Sequence, residues 1–507
     1  MMFRDYVNIE SLRTIMSDAN EFAIERIKKL NKIIEQGINP YPYTFKNATH
    51  SKYIIDNFEN IDEEQCFTVA GRVMLMRRMG KVIFLTLRDQ EGDIQAYFNK
   101  TALGEEKFDF LKLIDVGDII GVEGTVFRTR TGEVTLRSNN VTMLSKSIRP
   151  LPEKFHGIQD PDLKLRHRSL DMIMNNEVKE RFIKRSRAMG AIREFLNEQG
   201  FIEAETPILD TKYGGGEAKP FVTFVNAIDS EVYMNVSPEL YLKRLMVGGI
   251  ERVYTLGRSF RNEGIDRTHY PEFTLFECYM AYADYNDMME LMESLYDNVF
   301  NKINGSTKVS CDGVEIDFKA PWRRATMCDL VKEETGIDVE NMSMKEIANS
   351  INEKGLLTEK QQKGVDLQEA SKGELIIELF EGYCEGKLIQ PTFVIDYPAE
   401  SSPLCKVHRR NPELIERFEP FAAGVELGNA YSELNNPLRQ RVLLHEQANK
   451  LRAGLETASP MDEEFAVAID TGMPPAGGLG IGIDRMIMFL TEAYSIKDVI
   501  AFPLVKR

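Results

Sequence analysis

Two stretches of this 507-residue chain hold side chains suited to a charged ligand, and a third suits stacking on flat rings. The first runs Phe260-Arg261-Asn262-Glu263-Gly264, continues through Thr268-His269-Tyr270-Pro271-Glu272-Phe273 and reaches Glu277, forming a polar loop between two strand-like segments. The second, Gly478-x-Gly480-x-Gly482, passes straight into Asp484, Arg485 and an apolar helix, so a cation sits where backbone can approach a ligand closely. Its glycine spacing is not G-x-G-x-x-G and no βαβ unit follows, which excludes a dinucleotide fingerprint. The third lies among alternating runs between Phe67 and Leu144. There Ile83, Leu85 and Leu87 share one strand face and Phe84 takes the other, while Gln95 opposes Ile94, Ala96 and Phe98, and Glu133 opposes Val134 and Leu136. An aromatic ring, an amide and a carboxylate on one outer face could stack on and hydrogen-bond unpaired bases, with Arg72, Arg77, Arg78 and Lys81 nearby for phosphates. Scattered surface polars beside one exposed Phe would equally need no function.

These side chains require elements to position them. Residues 1–65 form a lead-in with an amphipathic helix, in which Phe22, Ile24, Ile27, Leu30, Ile33 and Ile34 recur at helical spacing and Arg26, Lys28, Lys29 and Lys32 make a basic flank. That flank reads equally as a solvated face or an RNA-contacting one. Gly37 and Asn39-Pro40-Tyr41-Pro42 stop the helix. Over 66–146, five short alternating strands separated by turns at 89–93 and 129–132 predict a small Greek-key barrel of the OB type, although another small barrel also fits. Residues 147–165, with Pro150, Pro152, Gly157 and Pro161, read as a hinge. A long helix carrying Phe182, Met189, Ile192, Phe195 and Leu196 then opens a domain over 166–507, where strand-like pieces outnumber the crossovers of a doubly wound sheet. An antiparallel sheet flanked by helices is expected, with a charge-rich helical insertion around 326–390. The fold class is α+β.

Composition bounds the function. Hydrophobic residues make up 43% and charged residues 28%, the balance of a globular chain, and a net charge of -16 argues against broad non-specific nucleic-acid binding while leaving room for a local basic surface. No apolar run approaches the ~20 residues of a membrane span. The opening MMFRDYVNIE has no apolar signal core, so the cytoplasm is expected. Six cysteines are widely spaced without a C-x-x-C, and the lone Cys405-x-x-His408 has no second half, so neither a disulfide framework nor a zinc site is signalled.

The segments GFIEAETPIL containing Pro207, FRNEGIDRTHYPEF and GLGIGIDR resemble, in order, the three signature motifs of class II aminoacyl-tRNA synthetases; the class I signatures HIGH and KMSKS do not occur. FRNEG, INPYPYTF, LRHRSLD, SPELYLKRL, SSPLCKVHR and ELGNAYSELNNP are similar to the lysyl-tRNA synthetase branch rather than its aspartyl and asparaginyl relatives, and the likeness covers nearly the whole chain. One departure puts Cys405 and Val407 where that branch usually has a small residue and an aromatic.

The resemblance implies a ligase that activates L-lysine with ATP to lysyl adenylate and pyrophosphate, then transfers lysine to tRNA(Lys). Its nucleophile is the substrate carboxylate, already ionised at neutral pH, so positioning and charge neutralisation must supply the rate. It assigns Arg261, Arg485 and Glu426 to catalysis. It assigns Arg261 to the α-phosphate and lysine carboxylate, and Phe273 to stacking on adenine opposite Arg485, which also reaches the γ-phosphate. His269, Tyr270, Glu263, Asn262, Leu427 and Gly482 complete the nucleotide site. Glu433 with Tyr279 would take the ε-ammonium; Glu239 and the Gly215 backbone would take the α-amino end, with Glu277, Asn429 and Tyr431 closing the pocket. Glu419 and Glu426 would hold Mg2+, though their spacing of seven also suits one helical face. Phe84, Gln95 and Glu133 would read a U-rich anticodon. A homodimer through the motif 1 helix and Pro207 is implied, with neither DNA nor membrane as a partner. A relative that lysylates proteins would usually lack the barrel. A nucleic-acid-binding relative with a retired active site would be expected to lose Arg261, Glu426 or Arg485.

Overall fold

The computed structural model describes residues 21–152, 160–356, 370–455 and 457–505. Residues 153–159 of the expected hinge and 357–369 of the expected insertion lie outside the described residues. The chain divides into two compact units, residues 1–159 and 160–507.

In the first unit, strands β1 (Cys66–Met79), β2 (Val82–Arg88), β3 (Asp93–Asn99), β4 (Ile119–Arg128) and β5 (Val134–Ser145) close a barrel in the order β1-β2-β3-β5-β4. The inward period-two set Ile83, Leu85, Leu87, Ile94, Ala96, Phe98 and Leu136 is buried and fills it. Burial on β2 alternates strictly, which leaves Phe84 half-exposed on the outer face. The preceding helix, Glu21–Glu35, buries Ala23, Ile27, Leu30 and Ile33, while Phe22 points to solvent. Its basic flank turns partly inward. Arg26 donates to the carbonyls of Val116 (2.8 Å) and Ser147 (3.2 Å), and Lys29 pairs with Asp115 at 2.5 Å, so two of the four cations hold the helix to its own unit.

The second unit is built on a nine-stranded sheet. Along its path lie 323–326, 392–398, 414–422, 428–432, 476–482, 272–281, 252–260 and 202–203; Val425–Glu426 pairs with 414–422 off that path. The pairings are antiparallel except those at the two ends, which are parallel. The α+β architecture with a large antiparallel sheet is therefore present. The helix Asn176–Glu198 buries Ala188, Ala191, Ile192, Phe195 and Leu196 against the sheet's core. The helix Tyr285–Asn304 begins in a capping box on Asp284 and ends at left-handed Gly305. Between the strands 323–326 and 392–398 the described residues include the α-helices Met327–Thr335, Met344–Lys354 and Lys372–Tyr383; Leu330, Val331, Ile347 and Leu379 bury their apolar face in a second core with Val253 and Tyr279. A separate three-stranded sheet comprises 209–210, 230–234 and 222–225.

Candidate active site

A cavity of about 440 Å3 opens on the central strands of the large sheet. Register explains its floor. Gly478 lies opposite Tyr279 on one neighbouring strand and Tyr431 on the other, and Gly480 lies opposite Glu277 and Asn429 in the same way. Residues directly opposite share a face of the sheet, so four functional side chains surround two positions that carry none. At Gly478 the absence is obligatory: a Cβ there would sit 2.0 Å from Glu433 Oε1 and 2.6 Å from a ring carbon of Tyr279. Gly215, at φ +77°, occupies the left-handed region, and a Cβ on it would meet Ser237 Oγ and Glu239 Cβ at 3.0 Å.

The floor is acidic and buried. Ser237 Oγ donates to Glu277 Oε1 at 2.7 Å and Tyr279 Oη to Oε2 at 3.2 Å, yet burial, with Glu239 adding to it, pushes the Glu277 carboxyl up to about 8. Glu239 begins the helix Glu239–Val247 and accepts from Tyr431 Oη at 2.6 Å. Glu433 is fully buried behind Gly478 and stands off the cavity wall; its Oε1 has no hydrogen-bond partner among the described residues. Its carboxyl is raised, first by burial, with a neighbouring cation opposing. That cation is Lys243, 1% exposed, with Nζ at 2.5 Å from both Glu239 Oε1 and Glu433 Oε2.

The cavity's other half is cationic and aromatic. Arg261, whose backbone N–H donates to Pro271 O at 2.9 Å, holds its guanidinium 5.3 Å from the centre of the Phe273 ring. Its buried Nε donor has no partner among the described residues, as expected of a group kept for a ligand oxygen. Arg485 donates Nη1 to the Glu426 backbone oxygen (2.7 Å) and to Glu426 Oε2 (3.0 Å), and its Nη2 lies 3.0 Å from His269 Nε2. A guanidinium only donates, so His269 accepts at Nε2 and carries its proton on Nδ1, 2.8 Å from Asp266 Oδ2. Asp266 is fit for that role. Burial works to raise its carboxyl, but N–H bonds from Thr268 and His269 outweigh it and hold it below the usual range. Asp484 anchors the motif from behind, accepting from Arg185 Nη1 and from the Thr274 backbone N–H at 2.6 Å each.

Of the residues singled out for this site in the sequence, Gly215, Glu239, Arg261, Glu263, His269, Tyr270, Phe273, Glu277, Tyr279, Glu419, Glu426, Leu427, Asn429, Tyr431, Gly482 and Arg485 line the cavity. Asn262 and Glu433 do not; Asn262 is exposed and its backbone N–H donates to Lys219 O at 2.7 Å. The Tyr270 hydroxyl accepts from the backbone of Leu504.

Glu419 and Glu426 lie on paired strands, with Phe421 opposite Glu426, so the helical explanation of their spacing is overturned: a hairpin, not a helix, brings them round. Glu419 accepts from Tyr397 Oη (2.8 Å) and Arg417 Nη2 (2.5 Å), and its carboxyl is raised by burial and by Glu426 against the pull of Arg417. Two mutually repelling carboxylates on one cavity wall fit a hard divalent cation that takes its remaining ligands from phosphate and water. Among the described residues no group of three His, Cys, Asp or Glu side chains gathers as a metal cage.

Lys243, Arg417 and Ser237 were not singled out by type or spacing. Lys243 follows Glu239 by four residues, one helical turn on the same face. Arg417 precedes Glu419 by two, the same face of a strand, and also reaches Asn429 Oδ1 at 2.9 Å. Those periods were the available signal.

On the barrel, Phe84 lies opposite Tyr97 with ring centres 5.2 Å apart, and Gln95 Nε2 donates to Glu133 Oε2 at 2.7 Å. Gln95 is buried rather than projecting freely, because Thr135 Oγ1 also donates to its Oε1 at 3.1 Å; Glu133 lies just before β5. Arg72 turns inward to Gly117 O (2.8 Å), which removes it from the expected phosphate-facing set.

Residues 160–506 match the family model described as tRNA synthetases class II (D, K and N), and residues 67–144 match that of an OB-fold nucleic acid binding domain. The chain is 50% identical over 491 residues to a protein of Clostridium novyi (strain NT) named Lysine--tRNA ligase, covering 97% of this chain and 95% of that one. It is 48% identical over 497 residues to the protein of that name from Clostridium botulinum (strain Langeland), covering 98% and 97%. A Clostridium perfringens (strain ATCC 13124) protein of the same name matches at 48% over 507 residues, covering 100% and 99%.

Proposed function

The chain belongs to the class II tRNA synthetases of the D, K and N group, and from that premise we propose that it joins L-lysine to tRNA(Lys) at the expense of ATP. The observation that carries the amino-acid choice is the ring of Glu277, Tyr279, Asn429 and Tyr431 around Gly478 and Gly480, with further buried carboxylates behind it. A pocket so acidic favours a substrate with two ammonium groups, and an uncharged side chain of similar length would leave a desolvated acid unpaired.

In the first step a lysine carboxylate oxygen attacks the α-phosphorus of ATP, the bond to the β-phosphate oxygen breaks, and pyrophosphate leaves. No protein base is needed. Arg261 offers its unpartnered donor to the carboxylate and α-phosphate and holds them for in-line attack. Phe273 and the Arg485 guanidinium border the adenine, and His269, fixed by Asp266, orients Arg485. Glu419 and Glu426 would hold Mg2+, which when bound neutralises phosphate charge. In the second step a ribose hydroxyl at the tRNA 3′ end attacks the lysyl carbonyl and AMP leaves.

The barrel supplies a separate nucleic-acid surface in which Phe84 stacks on a base and Glu133, held by the buried Gln95 amide, reads hydrogen-bonding edges of a U-rich anticodon. The exposed apolar side chains Ile202, Ile208 and Leu209 flank Pro207 along the chain, and Val222, Phe224 and Ile228 lie in or next to the small sheet that 209–210 joins; together they support a homodimer through the motif 1 region. Among the described residues no helix is long and apolar enough to cross a membrane. The cytoplasm, where tRNA is charged, is the compartment assigned. The test is ATP–pyrophosphate exchange with each amino acid in turn. Lysine alone is expected to drive it, followed by charging of a lysine tRNA transcript; exchange driven by another amino acid, or by none, overturns the reading.

A further inference from the structure

Lys243 is one of the largest fully buried side chains in the molecule, and the reaction above does not use it. It projects from the helix Glu239–Val247 behind the cavity floor, off the cavity wall itself. Its Nζ lies 2.5 Å from Glu239 and 2.5 Å from Glu433, with the ring centres of Tyr431 at 5.4 Å and Tyr279 at 5.8 Å. The ammonium therefore touches the two carboxylates that the reading above assigns to the two amino groups of the substrate. Desolvated acids crowded together take up protons unless a cation opposes them, and a neutral acid holds an ammonium poorly.

We propose that Lys243 is the positioning residue of the amino-acid pocket: its ammonium, in contact with both Glu239 and Glu433, orients the two acids and opposes the bias of burial against their charged forms, so that both can receive the ammonium groups of lysine. This rests on the lysine reading above. The groups facing the cluster are consistent with it. Glu239 comes from the same helix; Glu277 and Tyr279 come from one neighbouring strand, with Arg261 beyond Glu277. Tyr431 and Glu433 come from the other side, with Cys405 beside them. Lys243 is the ammonium among these groups, and burial, the largest influence, acts to lower it while Glu239 and Glu433 raise it above its ordinary value.

The experiment measures lysine and ATP KM in pyrophosphate exchange with the full chain and its Lys243→Met and Lys243→Arg variants, from about pH 6.5 to about pH 8.5. Lys243→Met is expected to raise the lysine KM about tenfold near pH 7 with the ATP KM within about twofold, and the difference is expected to shrink as pH rises and the acids ionise unaided. Lys243→Arg, which keeps the charge, is expected to follow the wild-type pH profile. A lysine KM raised by one factor at every pH marks a packing role and overturns the proposal, as does a Lys243→Met profile identical to wild type. Should Lys243→Met not fold, Lys243→Arg decides: a wild-type profile supports the charge role, and a loss of lysine affinity uniform with pH refutes it. A wild-type chain without lysine-dependent exchange sinks the functional reading instead.

Discussion

Glu277 holds a proton up to about pH 8 in the folded chain, against an ordinary value of 4.5, because burial beside Glu239 disfavours its charge. Between 4.5 and about 8 the unfolded chain carries fewer protons at this group than the folded one, so its contribution to stability is complete below 4.5 and is lost as pH rises through about 8. A bound ammonium favours the ionised form and reverses that loss. Thermal melts with and without lysine are therefore expected to separate further as pH rises from about 6 to about 8; a constant separation would remove Glu277 from the binding site. The Glu433 carboxylate permits a kinetic test at the same scale. Glu433→Gln keeps the shape and removes the charge, so the lysine KM is expected to rise about tenfold or more while the ATP KM stays near wild type. Equal effects on both would detach Glu433 from the amino-acid pocket.

At the scale of elements, the strand 476–482 works by what it lacks. Gly478 lets Glu433, Tyr279 and Tyr431 converge, and the 2.0 Å approach of a Cβ to Glu433 Oε1 cannot be absorbed without moving the carboxylate. Gly478→Ala is expected to cut kcat/KM for lysine about 100-fold, since displacement of about 1 Å at a reacting site has that effect; steady-state exchange kinetics checks it, beside a far-ultraviolet spectrum showing an unchanged fold. The barrel is a separate element with its own readout. Phe84→Ala, at the half-exposed ring opposite Tyr97, is expected to lower kcat/KM for tRNA about 10- to 100-fold, the worth of one base stack. Pyrophosphate exchange, which needs no tRNA, should be untouched, and its loss would mean that the substitution had unfolded the chain.

For the whole molecule, a net charge of -16 makes long-range attraction of tRNA weak, so recognition must rest on local surfaces. Self-association is the other whole-molecule property. Val222, Phe224 and Ile228 are each more than half exposed beside the motif 1 segment. Scattering-based mass measurement is expected to report a dimer for the wild-type chain and a monomer for a Val222→Glu, Phe224→Glu double variant, with exchange activity falling alongside. A wild-type monomer with full activity would refute the dimer.

Period-two alternation was enough to place Phe84 opposite an inward set of Ile83, Leu85 and Leu87, because a strand bound to a barrel core must turn alternate residues inward. The motifs were likewise readable, since FRNEG and GLGIGIDR are each an unbroken run of residues. Partnership across the sheet was not. That Gly478 separates Tyr279 from Tyr431, that Glu419 and Glu426 meet round a hairpin, and that Gln95 is tied to Glu133 all depend on strand register. The place of Lys243 depends on it most: the helix period links it to Glu239, but only the folded sheet brings Glu433, 190 residues further along the chain, to the same ammonium. Local periodicity is a property of the backbone and is written in the sequence, whereas the neutralisation of a buried charge is decided by which distant strands the core brings together.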